Sequence, residues 1–471
     1  AARPWEKVAQ VATSSELVKT YVKQLRQQLS RGPFVFANRY DGIDLPGDSC
    51  RFLIMDGLPY GLHEYEVHRA SIFTDSAAIN NELMQRIEQG IGRAARGTAD
   101  YCVVILTGKE LVSRLTMHAN QQLLTSSTRA QLEIGLAVSK DVASKEALKE
   151  TIMSCLRRDE DWIAFHADSL ASLISSNQVD ILQLELAALE RRAFRLMRDG
   201  YFEKAMTQLE KYSESTPALD PKSKGWLLQF AAAIAQCWGH KDEAQRLQRH
   251  AYAQNNNLLR PQVAPPYVPL PVPSKQAEAI VERIDHYTPR RGYMAEFERV
   301  VSHLVSTASA PQFEQALADL GSMLGFRSER PEKNYKIGPD VLWLLTGYQG
   351  MVMEVKSQKE SDKALTKEEH GQLLNAETWF KQAYPSYTCI RVSVHPNVLI
   401  TKSVKAGESK VLTLDELRQL VVELRRLLEV LTGSQVSRSD LILQCERLLA
   451  SSTLEPQSLI QRYLQRFREE S

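Results

Sequence analysis

GPDVLWLLTGYQGMVMEVKS, residues 338 to 357, decides how the C-terminal half of the chain is read. Two glycines expected to be turn residues, Gly347 and Gly350, separate apolar runs. A chain reversal near Gly347 sets Asp340 opposite Glu354, because each lies seven residues from it. Lys356 follows Glu354 by two, so on a strand it shares that residue's face. The flanking runs VLWLL and MVM are strongly apolar, so the charges close strands that are expected to be buried. The alternative for an E-x-K on a strand is a solvent-facing ion pair, which is worth little.

The rest of the 471 residues bounds the setting. A chain of this length is expected to fold as about three domains. Its 43% hydrophobic and 24% charged residues and net charge of +1 are those of a soluble globular protein. Near-neutrality neither requires nor excludes nucleic acid, which needs only a local basic stripe. No run approaches the roughly 18 apolar residues of a membrane span, so no membrane partner is expected. ELVKTYVKQLRQQLSRG (16–32) reads as an amphipathic helix ending at a glycine, not as a signal peptide. Six cysteines are spread singly with no CxxC pair, which argues against a zinc site, an iron–sulphur cluster or a disulfide framework and suits a reducing cytoplasm.

Composition changes divide the chain. Residues 1–165 mix helices with the short apolar strands FVFA, RFLIM and YCVVILTG, the signature of an α/β domain. Residues 166–258 are all helix formers. GYFEKAMTQLEKY from Gly200 and GHKDEAQRLQRHA from Gly239 each place an alanine five residues after the glycine. That pattern fits helical hairpins of the tetratricopeptide kind, and equally two ordinary hairpins. RPQVAPPYVPLPVP (260–273) marks a stiff proline-rich linker over 259–290. An α/β domain over 291–405 and a helical tail over 406–471 follow.

In the first domain, NRYDGIDLPGDSCRFLIMDGLPYG (38–61) and QRIEQGIGRAARGTADYCVVILTG (85–108) carry the chemistry. Gly42 and Gly47 free the backbone of a loop that holds Asp44. Arg93 and Arg96 are three apart, on one face of a helix expected to open after Gly90 and Gly92, and a guanidinium fork suits phosphate. Either arginine alone would read as a surface residue. Together the segments resemble motifs V and VI of repair-type superfamily 2 DNA helicases: Gly42-Ile43-Asp44, Arg51 to Pro59, then Gln89, Gly92, Arg93 and Arg96. The resemblance implies a second RecA-like lobe in which Arg93 and Arg96 face the γ-phosphate of ATP and Gly42 and Asp44 couple nucleotide state to the strand. No G-x-x-x-x-G-K-[ST] loop and no preceding DEAH-type pair is present. ATP is therefore expected only with a missing first lobe. The start at Ala1 without methionine is consistent with the C-terminal part of a longer protein.

Around the opening stretch, PQFEQALADLGSMLGF (311–326) repeats apolar residues at helical spacing. KEEHGQLLNAETWFKQ (367–382) is a second amphipathic helix, and TCIRVSV follows as a strand. Helix, strand, turn, strand, helix, strand, with P-D and then E-x-K, resembles the PD-(D/E)xK nucleases, whose fold is restriction-endonuclease-like. The resemblance implies Asp340, Glu354 and the Val355 carbonyl as ligands of Mg²⁺ or Mn²⁺. It makes Lys356 the cationic catalytic residue, Glu314 the acid on the preceding helix and Gln372 the polar residue on the following one. Lys359, Lys363 and Lys367 are candidate phosphate contacts, and His370 is expected at the surface.

The expectation is thus a multidomain chain: a RecA-like α/β lobe, an all-α middle, and an α/β restriction-endonuclease-like domain with a helical tail. Its function would be that of an ATP-dependent DNA helicase or translocase carrying a metal-dependent DNA nuclease, in repair, restriction or anti-phage defence. The alternatives are a DNA-binding module with an inactive nuclease fold, and an RNA-directed helicase.

Overall fold

The computed structural model describes residues 5–30, 32–37, 43–59, 77–93, 100–173, 181–263 and 265–470. The chain forms two compact units, Ala1–Pro265 and Pro266–Ser471.

The first unit begins with β1 (Gln10–Ala12), parallel to β2 (Phe34–Phe36). β3 (Phe52–Asp56) and β4 (Val103–Thr107) form a second parallel pair, with Phe52 opposite Val103. The helix Ser15–Arg26 starts where the Ser14 hydroxyl accepts the Leu17 N–H at 3.2 Å, and it ends at Gln27 through carbonyl bonds, short of the expected glycine. Met55, Met84, Ile87, Leu111 and Leu115 form a core between β3 and the neighbouring helices.

Four helices follow: Ile181–Arg198, Phe202–Ser215, Pro221–Trp238 and Lys241–Gln254. Gly239 ends the third in the left-handed region (φ 89°), where a side chain would be strained. Ala205 and Ala244, the small residues five after each glycine, are buried at the packed faces. A leucine–alanine core holds these helices together.

The second unit is built on one six-stranded sheet, in the order β11-β10-β8-β7-β6-β5. Its strands are β5 (Arg327–Glu329), β6 (Val341–Leu345), β7 (Gln349–Val355), β8 (Thr388–His395), β10 (Lys410–Thr413) and β11 (Gln465–Arg466). A small outlying pair joins β9 (Leu399–Ile400) to β12 (Arg468–Glu469). β6 and β7 are antiparallel, whereas β7, β8 and β10 run parallel. Every residue of β6 is buried, as an interior strand covered on both faces requires. The helix Ala310–Met323 covers one face: Trp343 Nε1–H donates to Leu317 O at 3.1 Å, and a Cβ on Gly321 would lie 2.3 Å from that indole nitrogen. The helix Lys367–Ala383 covers the other, where Leu342, Leu344 and Val352 meet Ala376 and Phe380.

Three sequence expectations change here. Gly350 is not a turn residue; it lies inside β7 opposite Leu344, where a Cβ would fall 2.2 Å from the Phe380 ring. The residues beyond 405 are not only a helical tail, because β10 joins β8 in the main sheet and β11 closes its edge. The stretch 259–290 is not one continuous linker: the helix Gln276–Asp285 packs into the second unit, and Tyr267 and Leu270 pack on its core.

Candidate functional site

The β6–β7 register fixes the geometry of the candidate site. Leu345 faces Gln349 and Val341 faces Met353, so the reversal is centred on Gly347 (φ 81°) and the next step aligns Asp340 with Glu354. Asp340 Oδ2 accepts the Val355 backbone N–H at 2.9 Å, which ties the carboxylate to the partner strand. Glu354 is buried, with 7% of its surface exposed, and its Oε2 lies 3.6 Å from Lys356 Nζ. Burial pushes the Glu354 carboxyl up to about 8, the Asp340 charge adds to this, and Lys356 opposes it. Two acids and one amine therefore share the C-terminal end of β7, and the acids are under-neutralised.

β8 supplies neighbours that no sequence motif marks. Ser393 is paired with Glu354, and His395 lies two residues on along the same face. Both are fully buried, and Ser393 Oγ, His395 Nε2 and Ser357 Oγ have no hydrogen-bond partner. Burial lowers the His395 pKa. Only the register could have revealed these residues, because β8 is distant in sequence.

Glu314 on the Ala310–Met323 helix is also brought near. Its carboxyl is pushed up by burial and then by the Asp340 charge, with Arg330 opposing. It is ion-paired with the buried Arg330 guanidinium, which also reaches Pro311 O at 3.3 Å. Gln372 is exposed on the Lys367–Ala383 helix. Lys359 Nζ donates to Glu369 Oε2 at 2.5 Å, inside the capping box that starts this helix at Thr366, so it is engaged within the protein. His370 is not at the surface as expected: it is buried, with Nε2 3.1 Å from Ser409 Oγ, because β10 and its lead-in cover that face.

Among the described residues, no group of three or more His, Cys, Asp or Glu side chains is placed to hold a metal ion. The donor set present, two carboxylates at one strand end with a raised Glu354 pKa, matches a cation that takes one or two carboxylates and keeps its waters. A positive ion there would oppose both the burial and the Asp340 charge that raise Glu354.

In the first unit, Asp44 lies between the buried Ile43 and Leu45. Its carbonyl accepts Arg26 Nε–H at 2.8 Å, and its carboxylate is 3.4 Å from Arg26 Nη2. The Leu45 N–H donates to Arg93 O at 3.3 Å, so the Asp44 loop and the Arg93 turn are joined through the backbone. Gln89 is exposed. Gly90 and Gly92 lie at the end of the helix Ala77–Ile91, with Gly92 N–H on Glu88 O at 2.8 Å and Arg93 N–H on Gly90 O at 3.3 Å; the helix expected to open after them falls on residues 94–99, outside the described residues. Gly42 and Arg96 lie outside the described residues. A polar cleft of about 510 Å³ is lined by Arg26, Asp44 and Asp48 among others.

In comparison with known protein families, residues 3–129 match the model of the helicase C-terminal domain. No curated protein and no solved structure matches the chain. Residues 3–129 are thus similar to a helicase C-terminal domain, and that likeness points to nucleic acid and a nucleotide as partners. Among the described residues, no helix is long and apolar enough to cross a membrane.

Proposed function

We propose that the chain joins a DNA helicase lobe to a divalent-metal-dependent DNA nuclease of the PD-(D/E)xK kind. The observation that carries this reading is the convergence of Asp340, Glu354 and Lys356 at one end of the β6–β7 hairpin, with Glu354 held near neutrality by burial and by Asp340. Perturbed carboxylates of this sort gather where chemistry is done.

Asp340, Glu354 and the Val355 carbonyl would hold Mg²⁺ or Mn²⁺. Such an ion, when bound, polarises a phosphoryl oxygen and lowers the pKa of water. Lys356 places a point charge beside the two acids, where it orients a nucleophile and offsets charge developing on the phosphate. Glu314 serves in this reading mainly as the partner of Arg330, and Gln372 as a contact to the DNA backbone.

The helicase lobe would use Asp44, Gln89, Gly92 and Arg93, with Gly42 and Arg96, at the nucleotide and its coupling loop. Hydrolysis of ATP also needs a phosphate-cradling loop, and these 471 residues contain no such motif. Residues 1–471 alone are expected not to hydrolyse ATP. Repair, restriction or defence against phage are the settings in which a motor joined to a nuclease would act.

The test is cleavage of labelled single- and double-stranded DNA, and of RNA, by the whole chain with Mg²⁺, Mn²⁺ or EDTA. Metal-dependent cutting of DNA that is lost in Lys356→Ala is expected. Binding without cutting would reduce the second unit to a DNA-binding module, and a preference for RNA would overturn the choice of DNA.

A further inference from the structure

The proline-rich segment enters the second unit with a three-residue rhythm. Tyr267, Leu270 and Pro273 are partly buried, while Pro266, Val268, Pro269, Pro271 and Val272 are exposed. Three residues per turn is the period of polyproline II, the conformation this composition favours, and it presents every third side chain to one side. The chain lies on the second unit as a proline-rich ligand lies in an aromatic groove.

Tyr267 fills that groove. Its ring stands edge-on to Tyr335 (centroids 5.0 Å apart, 85°), Trp379 (4.9 Å, 66°) and Tyr384 (6.2 Å, 70°). Edge-to-face contacts of this kind are each worth about 1 kcal/mol beyond simple burial. Hydrogen bonds then run in one direction. Leu270 N–H donates to the Tyr384 hydroxyl oxygen at 2.8 Å, the two tyrosine hydroxyl oxygens are 2.5 Å apart, and Tyr267 O–H donates to the Glu329 carboxylate. Every donor is used and the chain ends on an acceptor.

The floor of the groove reaches the candidate site. Gly338 has φ 78°, and a Cβ there would lie 2.9 Å from three atoms of the Trp379 indole. The indole therefore lies against the backbone of Gly338, two residues before Asp340. Glu329 sits on β5 opposite Leu342, two residues after Asp340. The groove thus contacts the chain on both sides of Asp340.

We propose that Pro266–Pro273 is an internal ligand of the second unit, and that Tyr267, by filling the groove over Trp379, is a positioning residue for Asp340. The groove is a binding site for a tyrosine-bearing proline-rich segment, occupied by the chain's own tether. Burial raises Glu329 to about 7, with the Tyr267 donor opposing that shift, so the phenol helps keep the acceptor ionised. The catalytic consequence rests on the nuclease reading; the docking does not.

The experiment compares whole-chain wild type, Tyr267→Phe and Tyr267→Ala by amide hydrogen exchange and by DNA cutting. The Val355 amide reports the seating of Asp340, because it donates to that carboxylate. The Leu270 amide reports docking, and the amides of Leu414–Gly433 report global folding. In Tyr267→Ala, exchange at Leu270 and Val355 is expected to rise at least about tenfold with the control helix unchanged. Metal-dependent kcat is expected to fall about tenfold with little change in KM for DNA. Tyr267→Phe keeps the ring contacts and loses the hydroxyl, and falls between. Exposure of Leu270 with Val355 still protected would overturn the positioning role, and protection of both would overturn docking. Absence of metal-dependent cutting in wild type would fail the nuclease reading alone, since exchange still decides the placement of Asp340.

Discussion

Asp340 Oδ2 accepts the Val355 N–H at 2.9 Å, so the acid just before β6 is fixed to the residue between Glu354 and Lys356. Asp340→Asn separates charge from structure here, because an amide oxygen can still accept that N–H. Metal-dependent cutting is expected to fall by about 10² or more, while thermal stability is preserved or raised as repulsion with Glu354 disappears. Calorimetry beside a cleavage assay measures both. Equal cutting by wild type and Asp340→Asn would remove Asp340 from the reaction.

Glu354 gives the site a pH dependence of definite sign. Its folded pKa, near 8, lies above the ordinary carboxylate value of about 4.3, so the folded state binds the extra proton between those limits. Its contribution to stability is fully present at low pH and is lost as pH rises through 8. Glu354→Gln should stabilise the protein at pH 8 to 9 by on the order of 1–3 kcal/mol, and by little near pH 4.5. Cation binding requires the carboxylate and releases that proton, so Mn²⁺ affinity should rise with pH up to about 8 and then level. Denaturation at two pH values and titration calorimetry provide the readings. A Glu354→Gln stability difference independent of pH would show that this acid is already ionised.

The symmetry of Asp340 and Glu354 about Gly347 was legible because a tight reversal makes register a local property of sequence. Burial of VLWLL was equally plain from composition. β5, with sequence RSE, was not legible: it is short, polar and at a sheet edge, and only its pairing with β6 makes it a strand. β10 is four residues long and owes its place to parallel pairing with β8, which no local pattern announces. The isolated polar atoms of Ser393 and His395 depend on that same long-range register. His370 looked exposed because helical periodicity does not reveal which second element covers a polar position. Prolines announced a linker, but the docking of Tyr267 depends on an aromatic groove gathered from two separate segments, one with Tyr335 and one with Trp379 and Tyr384.

Arg51 should prove structural. Its guanidinium binds Asp100 Oδ1 and Tyr101 O at 2.8 Å each, reaches the exposed Asp48, and lies 3.9 Å from the Tyr101 ring centroid. Asp100 in turn accepts the Gly47 N–H at 3.1 Å, so the group holds the loop after Asp44 against the start of β4. Arg51→Ala is expected to cost on the order of 2 kcal/mol, and Asp48→Ala less than about 0.5 kcal/mol. Arg51→Lys should rescue little, since one ammonium cannot make the forked set of contacts. Urea denaturation checks the ranking, and an Arg51→Ala cost no larger than that of Asp48→Ala would contradict it.

Glu314 separates two accounts of the acid on the Ala310–Met323 helix. A metal ligand would face the cation, whereas this carboxylate is paired with Arg330, whose side chain is only 7% exposed. Removing the cation leaves a buried acid, so Arg330→Met should cost on the order of 3 kcal/mol. Glu314→Gln keeps a hydrogen-bond acceptor for the guanidinium and removes the charge that acts on Asp340. It is expected to lower stability by about 1–2 kcal/mol while metal-dependent cutting stays within a few-fold of wild type. The pair of measurements is a melting curve and a cleavage rate at saturating Mn²⁺. A loss of cutting as large as that of Asp340→Asn, with stability unchanged, would place Glu314 among the ligands.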